Sequence, residues 1–249
     1  MSKYNKTDLD PKTVFERHVF HRDIFAHYLR WSFVLDRVKR DNSSILTDFG
    51  CGKGYLAEVL YRNRHSLKLY QGLDIRKRTI EKAKERLENV DWIKFYAADL
   101  ILDDLNYLEP ADIVTSFEVI EHIGRQNASI FLKKFKACGK KDAVYYLSTP
   151  NYDEKVGAAG NHTYNGRINE FKHEELQELI KEAGFNIVEK FGTFASQKDY
   201  KDLLSDSERI MFTELNKYYD SNLISVIFAP LFPEQSRNCL WVLKKRLKD

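Results

Sequence analysis

The feature that most constrains the fold of this chain is a glycine-rich segment at residues 48–54, which reads DFGCGKG. It follows a short apolar run and precedes residues 55–60, in which apolar side chains recur with helical spacing. This order predicts a strand that ends in an acidic residue, a turn made by glycines, and a helix directly after the turn. Glycines let the backbone approach a ligand closely, and the free N–H groups of a helix start favour an anionic or polar ligand. The segment therefore predicts an α/β unit with a ligand site at the turn.

The spacing of the glycines narrows the kind of ligand. It is Asp-x-Gly-x-Gly-x-Gly, which differs from the Gly-x-Gly-x-x-Gly pattern of dinucleotide-binding enzymes and disfavours a nicotinamide oxidoreductase. The segment resembles the first motif of class I S-adenosylmethionine (SAM)-dependent methyltransferases. That resemblance implies that the loop holds the amino-acid end of SAM and that Asp48 helps to hold its amino group.

Acidic residues follow two further predicted strands. Residues 67–75 alternate and are rich in β-forming side chains, which predicts a strand that ends at Asp74. An acid in that place can accept hydrogen bonds from both hydroxyls of a ribose. A third strand, at residues 92–97, leads to Asp99, which in the family would meet the adenine amino group. The resemblance thus implies cofactor contacts from Asp48, Phe49, Gly50, Cys51, Gly52, Asp74, Ile75, Asp99, Leu100 and Glu118.

The periodic segments that follow extend this pattern over most of the chain. The resemblance covers about residues 44–193 plus the last strand, and it implies an α/β, Rossmann-like fold with a seven-stranded, mostly parallel sheet. Helices are expected on both faces, and the last strand is expected to be antiparallel. The further predicted strands are 111–118, 143–147, 185–190 and 239–244, and the predicted helices between them include 76–87 and 171–183.

Two stretches lie outside this core. Apolar and aromatic residues at helical spacing before the first strand predict a helical extension at 1–43. It packs on the sheet, caps the cofactor cleft, or does both. Between the last two predicted strands, residues 194–238 form a helical insertion that serves a substrate pocket or a dimer contact. The other two predicted segments of the chain are the methyltransferase core at 44–193 and the last strand with a basic tail at 239–249.

The connection at residues 151–170 is long for two neighbouring elements. Long connections beside a cleft are often binding loops, and the alternative is a surface loop without chemistry. Its candidate substrate contacts are Tyr152, His162, Tyr164 and Arg167.

The candidate catalytic groups lie in residues 117–123, which read FEVIEHI. At helical spacing, Glu118, Glu121 and His122 share one face, because positions i, i+3 and i+4 are neighbours. His122 is the first choice of general base, and Glu118 is expected to face the cofactor or the acceptor.

The same three groups can hold a divalent metal. The pattern resembles the metal-binding segment of small-RNA 2′-O-methyltransferases, which add a later histidine, and His162 or His173 would have to supply it here. Similar Glu-x-x-Glu-His segments also occur in O-methyltransferases of the ubiquinone-biosynthesis type. A bound metal at Glu118, Glu121 and His122 is therefore not favoured.

The resemblance implies transfer of a methyl group from SAM to an oxygen or nitrogen, with S-adenosylhomocysteine (SAH) as product. The proline-containing motif of DNA amino-methyltransferases is absent after the fourth predicted strand, and neither Cys138 nor Cys239 follows a proline as in cytosine-C5 enzymes. A small-molecule acceptor is the favoured interpretation. The alternatives are a metal-assisted RNA 2′-O-methyltransferase and a non-catalytic SAM-binding module.

Composition sets the remaining limits. With 249 residues, 43% hydrophobic and 31% charged, the chain can form a packed core with a charged surface. No apolar run reaches the roughly 20 residues that span a bilayer, and no signal-peptide core is evident, so a cytoplasmic protein without a membrane partner is expected. The net charge of +3 is too small to establish RNA as a partner. A homodimer stays open.

Overall fold

The structure, a computed structural model, describes residues 22–41, 43–63, 67–152, 163–164 and 167–246. Strands and short hairpin strands alternate with helices along most of this length. The strands are β1 (Ile45–Phe49), β2 (Leu69–Asp74), β3 (Ile93–Ala97), β4 (Ala111–Phe117), β5 (Gly139–Pro150), β6 (Thr163–Tyr164), β7 (Arg167–Ile168), β8 (Phe185–Ala195) and β9 (Ser236–Lys245). The α-helices are α1 (Arg22–Asp41), α2 (Tyr55–Arg62), α3 (Lys77–Arg86), α4 (Ala128–Ala137), α5 (His173–Glu182), α6 (Gln197–Tyr200), α7 (Asp206–Leu215) and α8 (Ser221–Phe228).

The main sheet has seven strands in the order β3-β2-β1-β4-β5-β9-β8. The pairs from β3 to β5 are parallel, whereas β9 is antiparallel to both of its neighbours. The predicted seven-stranded, mostly parallel α/β sheet with an antiparallel last strand is therefore confirmed.

The parallel register brings the ends of separate strands to one edge of the sheet. Phe49, at the end of β1, pairs with Leu73 on one side and with Ser116 on the other. One strand further along, Phe117 pairs with Ser148 near the end of β5. Ligands of open α/β sheets bind at this carboxyl edge, so the loops after β1, β2, β4 and β5 converge where a site is expected.

Helices cover both faces of the sheet, as the hydrophobic clusters show. On one face, side chains of α1, α2 and α3 pack with β-strand residues such as Leu46 and Tyr70. On the other face, α4 and α5 pack with Phe49 and Trp241. Alternation along a strand points successive side chains to opposite faces, so Asp48 and Phe49 project into different layers.

The structure differs from the predictions mainly in the lengths of elements near the insertion. The helical insertion predicted at residues 194–238 is divided into short helices, because new helix starts are capped. The Ser205 side chain accepts the N–H of Glu208, and the Asp220 side chain accepts the N–H of Asn222. The resulting helices pack around their own small core, and α8 contacts both α1 and β8.

The long connection before α5 also holds structure that the sequence did not predict. It contains the hairpin of β6 and β7, and β6 lies beside a 3₁₀ turn at Ile120–His122. None of the described helices is long and apolar enough to cross a membrane.

Candidate functional site

The glycine loop has the backbone that its sequence predicted. Gly50, Gly52 and Gly54 adopt φ angles of +77°, +54° and +75°, which side chains with a Cβ rarely adopt. The N–H groups of Gly50 and Cys51 both donate to the carbonyl of Leu73 at 2.8 Å, which fixes the loop to the end of β2. Apart from Gly52 itself and its two neighbours in the chain, no described residue has an atom within 4 Å of the place that a Cβ on Gly52 would take. The loop therefore leaves an open cradle above its middle glycine.

Asp74 ties the end of β2 to this cradle. Its carboxylate is buried and accepts the N–H of Gly52 at 3.2 Å and the N–H of Arg76 at 2.9 Å. The Arg76 side chain also donates to it, through Nε at 3.2 Å. The next residue, Ile75, is 63% exposed and offers an apolar surface beside the carboxylate.

Asp48 lies beneath the loop rather than at its surface. Each of its carboxylate oxygens accepts a hydroxyl at 2.6 Å, one from Tyr70 and one from Thr115. Burial raises the pKa of Asp48 to about 6, although the hydrogen bonds from the two hydroxyls act to lower it. Because Asp48 is buried beneath the loop, its contact with the amino group of SAM stays a prediction.

The remaining predicted cofactor residues divide into backbone and side-chain candidates. Phe49 and Cys51 are buried, so contact of their backbone with the cofactor stays a prediction. Asp99 is partly exposed, and its Oδ1 accepts the N–H groups of Ile101 and Leu102 at 2.8 and 3.1 Å. Leu100 is 6% exposed and packs in the core, which leaves little of it for an adenine ring.

The segment after β4 lies directly on the glycine loop. Glu118 adopts φ +58°, and a Cβ added to Gly50 would lie 2.2 Å from Cγ2 of Val119. The backbone then forms the 3₁₀ turn at Ile120–His122. The prediction that Glu118 shares a helical face with Glu121 and His122 was wrong, because Glu118 precedes the turn and has a left-handed backbone.

The carboxylate of Glu118 is held by three parts of the chain. Its Oε1 accepts Nη1 of Arg30 at 2.5 Å and the hydroxyl of Ser148 at 2.9 Å, and its Oε2 accepts the amide of Asn238 at 2.7 Å. Arg30 comes from α1, Ser148 from β5 and Asn238 from β9. Glu118 keeps 25% of its side chain exposed, so it still reaches the edge of the site.

Glu121 and His122 form an acid–imidazole pair at the same edge. Glu121 is buried and accepts the hydroxyl of Thr149 at 3.0 Å, and its other oxygen lies 3.8 Å from Nε2 of His122. Burial, with the nearby negative charges of Glu118 and Glu170, raises the pKa of Glu121 well above its usual range. The imidazole of His122 is 54% exposed and is the accessible member of the pair.

The described residues contain no group of three or more His, Cys, Asp or Glu side chains arranged to hold a metal. His173 packs against Trp241 with 4.5 Å between ring centroids, and its Nε2 lies 3.0 Å from Nζ of Lys190. Burial and the charge of Lys190 lower the pKa of His173. His162, and the side chains of Tyr164 and Arg167, lie outside the described residues.

Arg30 and Asn238 are the members of this site that the sequence did not predict. Arg30 is 2% exposed and stands in a buried stripe with Ala26, Val34 and Val38 at intervals of four residues. An arginine in the apolar stripe of an amphipathic helix was the available signal, since such a charge needs a partner when buried. Asn238 carried no comparable signal.

Comparison with known proteins identifies the family. A family profile described as a methyltransferase domain matches residues 16–190. The chain belongs to the methyltransferase domain family. The predicted class I SAM-dependent methyltransferase fold is thus confirmed.

Two curated relatives and one solved structure illustrate the range of this family. The chain is 30% identical over 132 residues to the small RNA 2′-O-methyltransferase of Arabidopsis thaliana, covering 50% of this chain and 14% of that protein. It is 27% identical over 162 residues to the mitochondrial ubiquinone biosynthesis O-methyltransferase of Candida albicans, covering 59% of this chain and 48% of that protein. The chain therefore spans less than half the length of these relatives.

The solved methyltransferase domain of bacterial CtHen1-C shares the fold. The two structures agree with a TM-score of 0.59 at 19% identity, over 89% of this chain and all of that domain. Identity at this level supports the common architecture of methyltransferase domains and leaves the acceptor open.

Proposed function

We propose that this methyltransferase domain uses SAM to methylate an oxygen or nitrogen of a small-molecule acceptor. The observation that carries the proposal is the contact of Val119 with Gly50, which places the Glu118–His122 segment directly over an open glycine loop. The loop proposed to bind the cofactor and the side chains proposed to move a proton thereby lie at the same edge of the sheet. The N-terminal helix and the insertion border this edge, and a cytoplasmic location is part of the proposal.

The residues of the loop fit the amino-acid and ribose parts of SAM. A Cβ on Gly52 would project into the free space above the loop, so a ligand can approach the backbone closely there. Asp74 is the proposed acceptor of the ribose hydroxyls, which would replace the exposed Arg76 side chain that donates to both of its oxygens. Ile75 supplies an exposed apolar surface for the adenine ring. Asp99 is the proposed partner of the adenine amino group.

When bound, SAM supplies a methyl group on a sulfonium, which is a good leaving group. The protein has two tasks left, alignment of the acceptor and removal of its proton, and alignment contributes much of the rate. His122 is exposed at the edge and can take the proton of a hydroxyl or amine. The buried carboxylate of Glu121 lies 3.8 Å from the imidazole, near enough to stabilise its protonated form electrostatically.

Binding of SAM and SAH to the wild type and to Asp74→Asn, measured by calorimetry, tests the cofactor site. Asp91→Asn is the matched control, because Asp91 is exposed and precedes β3 at the opposite edge of the sheet. We expect micromolar binding that Asp74→Asn weakens and that the control leaves unchanged. A wild type that binds neither ligand would refute the proposal.

A second candidate acceptor is the ribose 2′-hydroxyl of RNA. The similarity to the Arabidopsis enzyme supports it, together with one buried oxygen of Glu121 that has no hydrogen-bond partner in the described part of the chain. Among the described residues no group of three such side chains is arranged to hold a metal, so the labelling experiment includes divalent metal as a variable.

Transfer of a radiolabelled methyl group separates these acceptors. Short single-stranded RNA, with and without Mg²⁺ or Mn²⁺, is compared with DNA of the same sequence, which lacks the 2′-hydroxyls, and with a panel of phenols and amines. Metal-dependent labelling that requires the 2′-hydroxyl would replace the small-molecule proposal. SAM binding without labelling of any acceptor would favour a non-catalytic module.

A further inference from the structure

Glu118 has an unfavourable backbone at a functional position. It is one of two non-glycine residues with positive φ in the described chain, at +58°, the other being Asn89. A left-handed backbone is unusual for a residue with a long side chain, and such conformations persist only where surrounding contacts enforce them. The backbone N–H of Glu118 donates to the carbonyl of Ser148 at 2.9 Å, and the contacts of its side chain add to this hold on the segment that covers the glycine loop.

The side chain of Arg30 provides the charged contact. Arg30 is 2% exposed, and its Nη1 lies 2.5 Å from Oε1 of Glu118 and 3.0 Å from the hydroxyl of Ser148. Its Nη2 lies 3.2 Å from Nδ1 of His27, and its guanidinium stands 5.8 Å from the ring centroid of Phe117. A buried guanidinium with this set of partners has little freedom to move.

The hydrogen bonds on Glu118 leave it one acceptor position. A carboxylate oxygen accepts about two hydrogen bonds. Oε1 is filled by Arg30 and Ser148, whereas Oε2 receives only Asn238 from the described residues. With 25% of the side chain exposed, the remaining position on Oε2 is open to a donor on a ligand.

We propose that Arg30 is a positioning residue that acts through Glu118. It fixes the carboxylate as an anchor, keeps Val119 on Gly50, and directs the one free acceptor position of Glu118 toward an N–H or O–H of the bound ligand. Glu118 is then an anchor for the ligand and not the proton acceptor. This inference rests on the proposed function, because the ligand concerned is bound at the SAM edge.

The alternative is that Arg30 only attaches α1 to the sheet. Arg37 allows a direct comparison, because it lies on the same helix and also bonds to β5, with Nε 3.2 Å from the hydroxyl of Tyr146. Arg37 has no contact with Glu118, and its other ion pair is with Asp41 of the same helix. If attachment were the whole role, the two arginines would behave alike.

The test measures the Kd of SAH by calorimetry and the melting temperature for Arg30→Gln, Arg30→Lys and Arg37→Gln. We expect Arg30→Gln to weaken SAH binding by about tenfold or more, since small displacements of site groups have large effects. Arg37→Gln should lower the melting temperature and leave the Kd within about twofold of the wild type. Arg30→Lys should recover part of the affinity, because it restores the charge without the planar contacts.

A double-mutant cycle with Glu118→Gln tests whether Arg30 affects ligand affinity through Glu118. If Arg30 acts through Glu118, Arg30→Gln should change the Kd by no more than about twofold in the Glu118→Gln background. Equal and additive losses in both backgrounds would overturn the inference, as would an unchanged Kd in both Arg30 variants. Should Arg30→Gln fail to fold, Arg30→Lys carries the same cycle.

The two failures are distinguishable. If the wild type binds no SAH, the proposed function fails and the inference falls with it. If the wild type binds SAH and the Arg30 variants bind as the Arg37 control does, the cofactor site stands and only the role of Arg30 is refuted.

Discussion

Gly50 and Gly52 share a left-handed backbone but have different surroundings. A Cβ on Gly50 would lie 2.2 Å from Val119, whereas a Cβ on Gly52 meets nothing within 4 Å in the described structure. Alanine at either position costs about 1 kcal/mol or more for the backbone. We expect Gly50→Ala to lose further stability because Val119 must move, and Gly52→Ala to fold with only the backbone cost. Urea unfolding of both variants measures the difference.

The same two variants test whether SAH binds in the open space over the glycine loop. Gly52→Ala should bind SAH much more weakly than the wild type, because its methyl group enters the free space over the loop. A Gly52→Ala protein that binds SAH normally would show that the ligand does not approach this glycine. If the clash with Val119 causes the loss of stability in Gly50→Ala, the double variant that combines Gly50→Ala with Val119→Ala should be more stable than Gly50→Ala alone.

Asp48 gives a prediction for pH. Its pKa is raised from 3.8 to about 6, so the folded state binds a proton that the unfolded state releases. Its contribution therefore makes the protein less stable as pH rises from about 4 to about 6, by roughly 3 kcal/mol in total. Below about 4 both states are protonated, and the penalty is absent.

The contribution of Asp48 is isolated by subtraction. Stability is measured by urea unfolding between pH 4 and 7 for the wild type and for Asp48→Asn, which cannot ionise. The wild type should lose stability relative to Asp48→Asn as pH rises through this range. A difference that stays constant with pH would contradict the raised pKa of Asp48.

At the scale of elements, Asp112 joins three strand starts at the edge opposite the site. Its Oδ2 accepts the N–H groups of Ser44 and Ile45 before and in β1, and its Oδ1 pairs with Lys140 of β5 at 2.7 Å. Burial alone would raise the pKa of Asp112, but these hydrogen bonds outweigh it and lower the pKa. This stabilisation is present above its ordinary pKa and is lost as pH falls through the lowered value.

Asp112→Ala should therefore destabilise the protein by about 1–3 kcal/mol, since it leaves backbone N–H groups without their acceptor. SAH affinity should stay at the wild-type value, because Asp112 lies at the far edge of the sheet. Urea unfolding and calorimetry at neutral pH measure both quantities. An Asp112→Ala protein of wild-type stability would show that water replaces the carboxylate without cost.

Elements with a local signal were predictable from the sequence, and elements without one were not. The strand that ends at Asp74 was evident from alternation and from the acid that follows. The helix predicted at residues 171–183 ends at Glu182, and Gly184 follows it with φ +83°, as is common for a glycine after a helix end. The hairpin of β6 and β7 was missed because each strand has two residues, too few to show a period.

The candidate site was predictable only in its local part. Residues 48–54 and the segment after β4 are each contiguous in sequence, so their motifs are visible. The bonds that hold Glu118 come from Arg30, 88 residues away, and from Asn238, 120 residues away. Pairing over such distances depends on the order of strands and on the docking of α1, which no local pattern contains.

At the scale of the whole molecule, a ligand that binds only the folded state must stabilise it. At about 100 times its Kd, SAH should add about 2.7 kcal/mol to the stability. For a protein of this size that is a rise of about 5–10 °C in melting temperature. Differential scanning fluorimetry measures the rise, and Asp74→Asn should reduce it at the same SAH concentration. No rise at a concentration that saturates the protein by calorimetry would mean that the unfolded chain binds SAH too.

The position of β9 in the sheet has a consequence for the order in which the site is assembled during synthesis. Strand β8 is made before β9, yet it joins the sheet only through β9, which lies between it and β5. Asn238, which bonds to Glu118, is carried by that same late strand. A nascent chain can thus form the glycine loop early but cannot complete the hold on Glu118 until β9 has inserted, so we expect the ability to bind ligand to be acquired last.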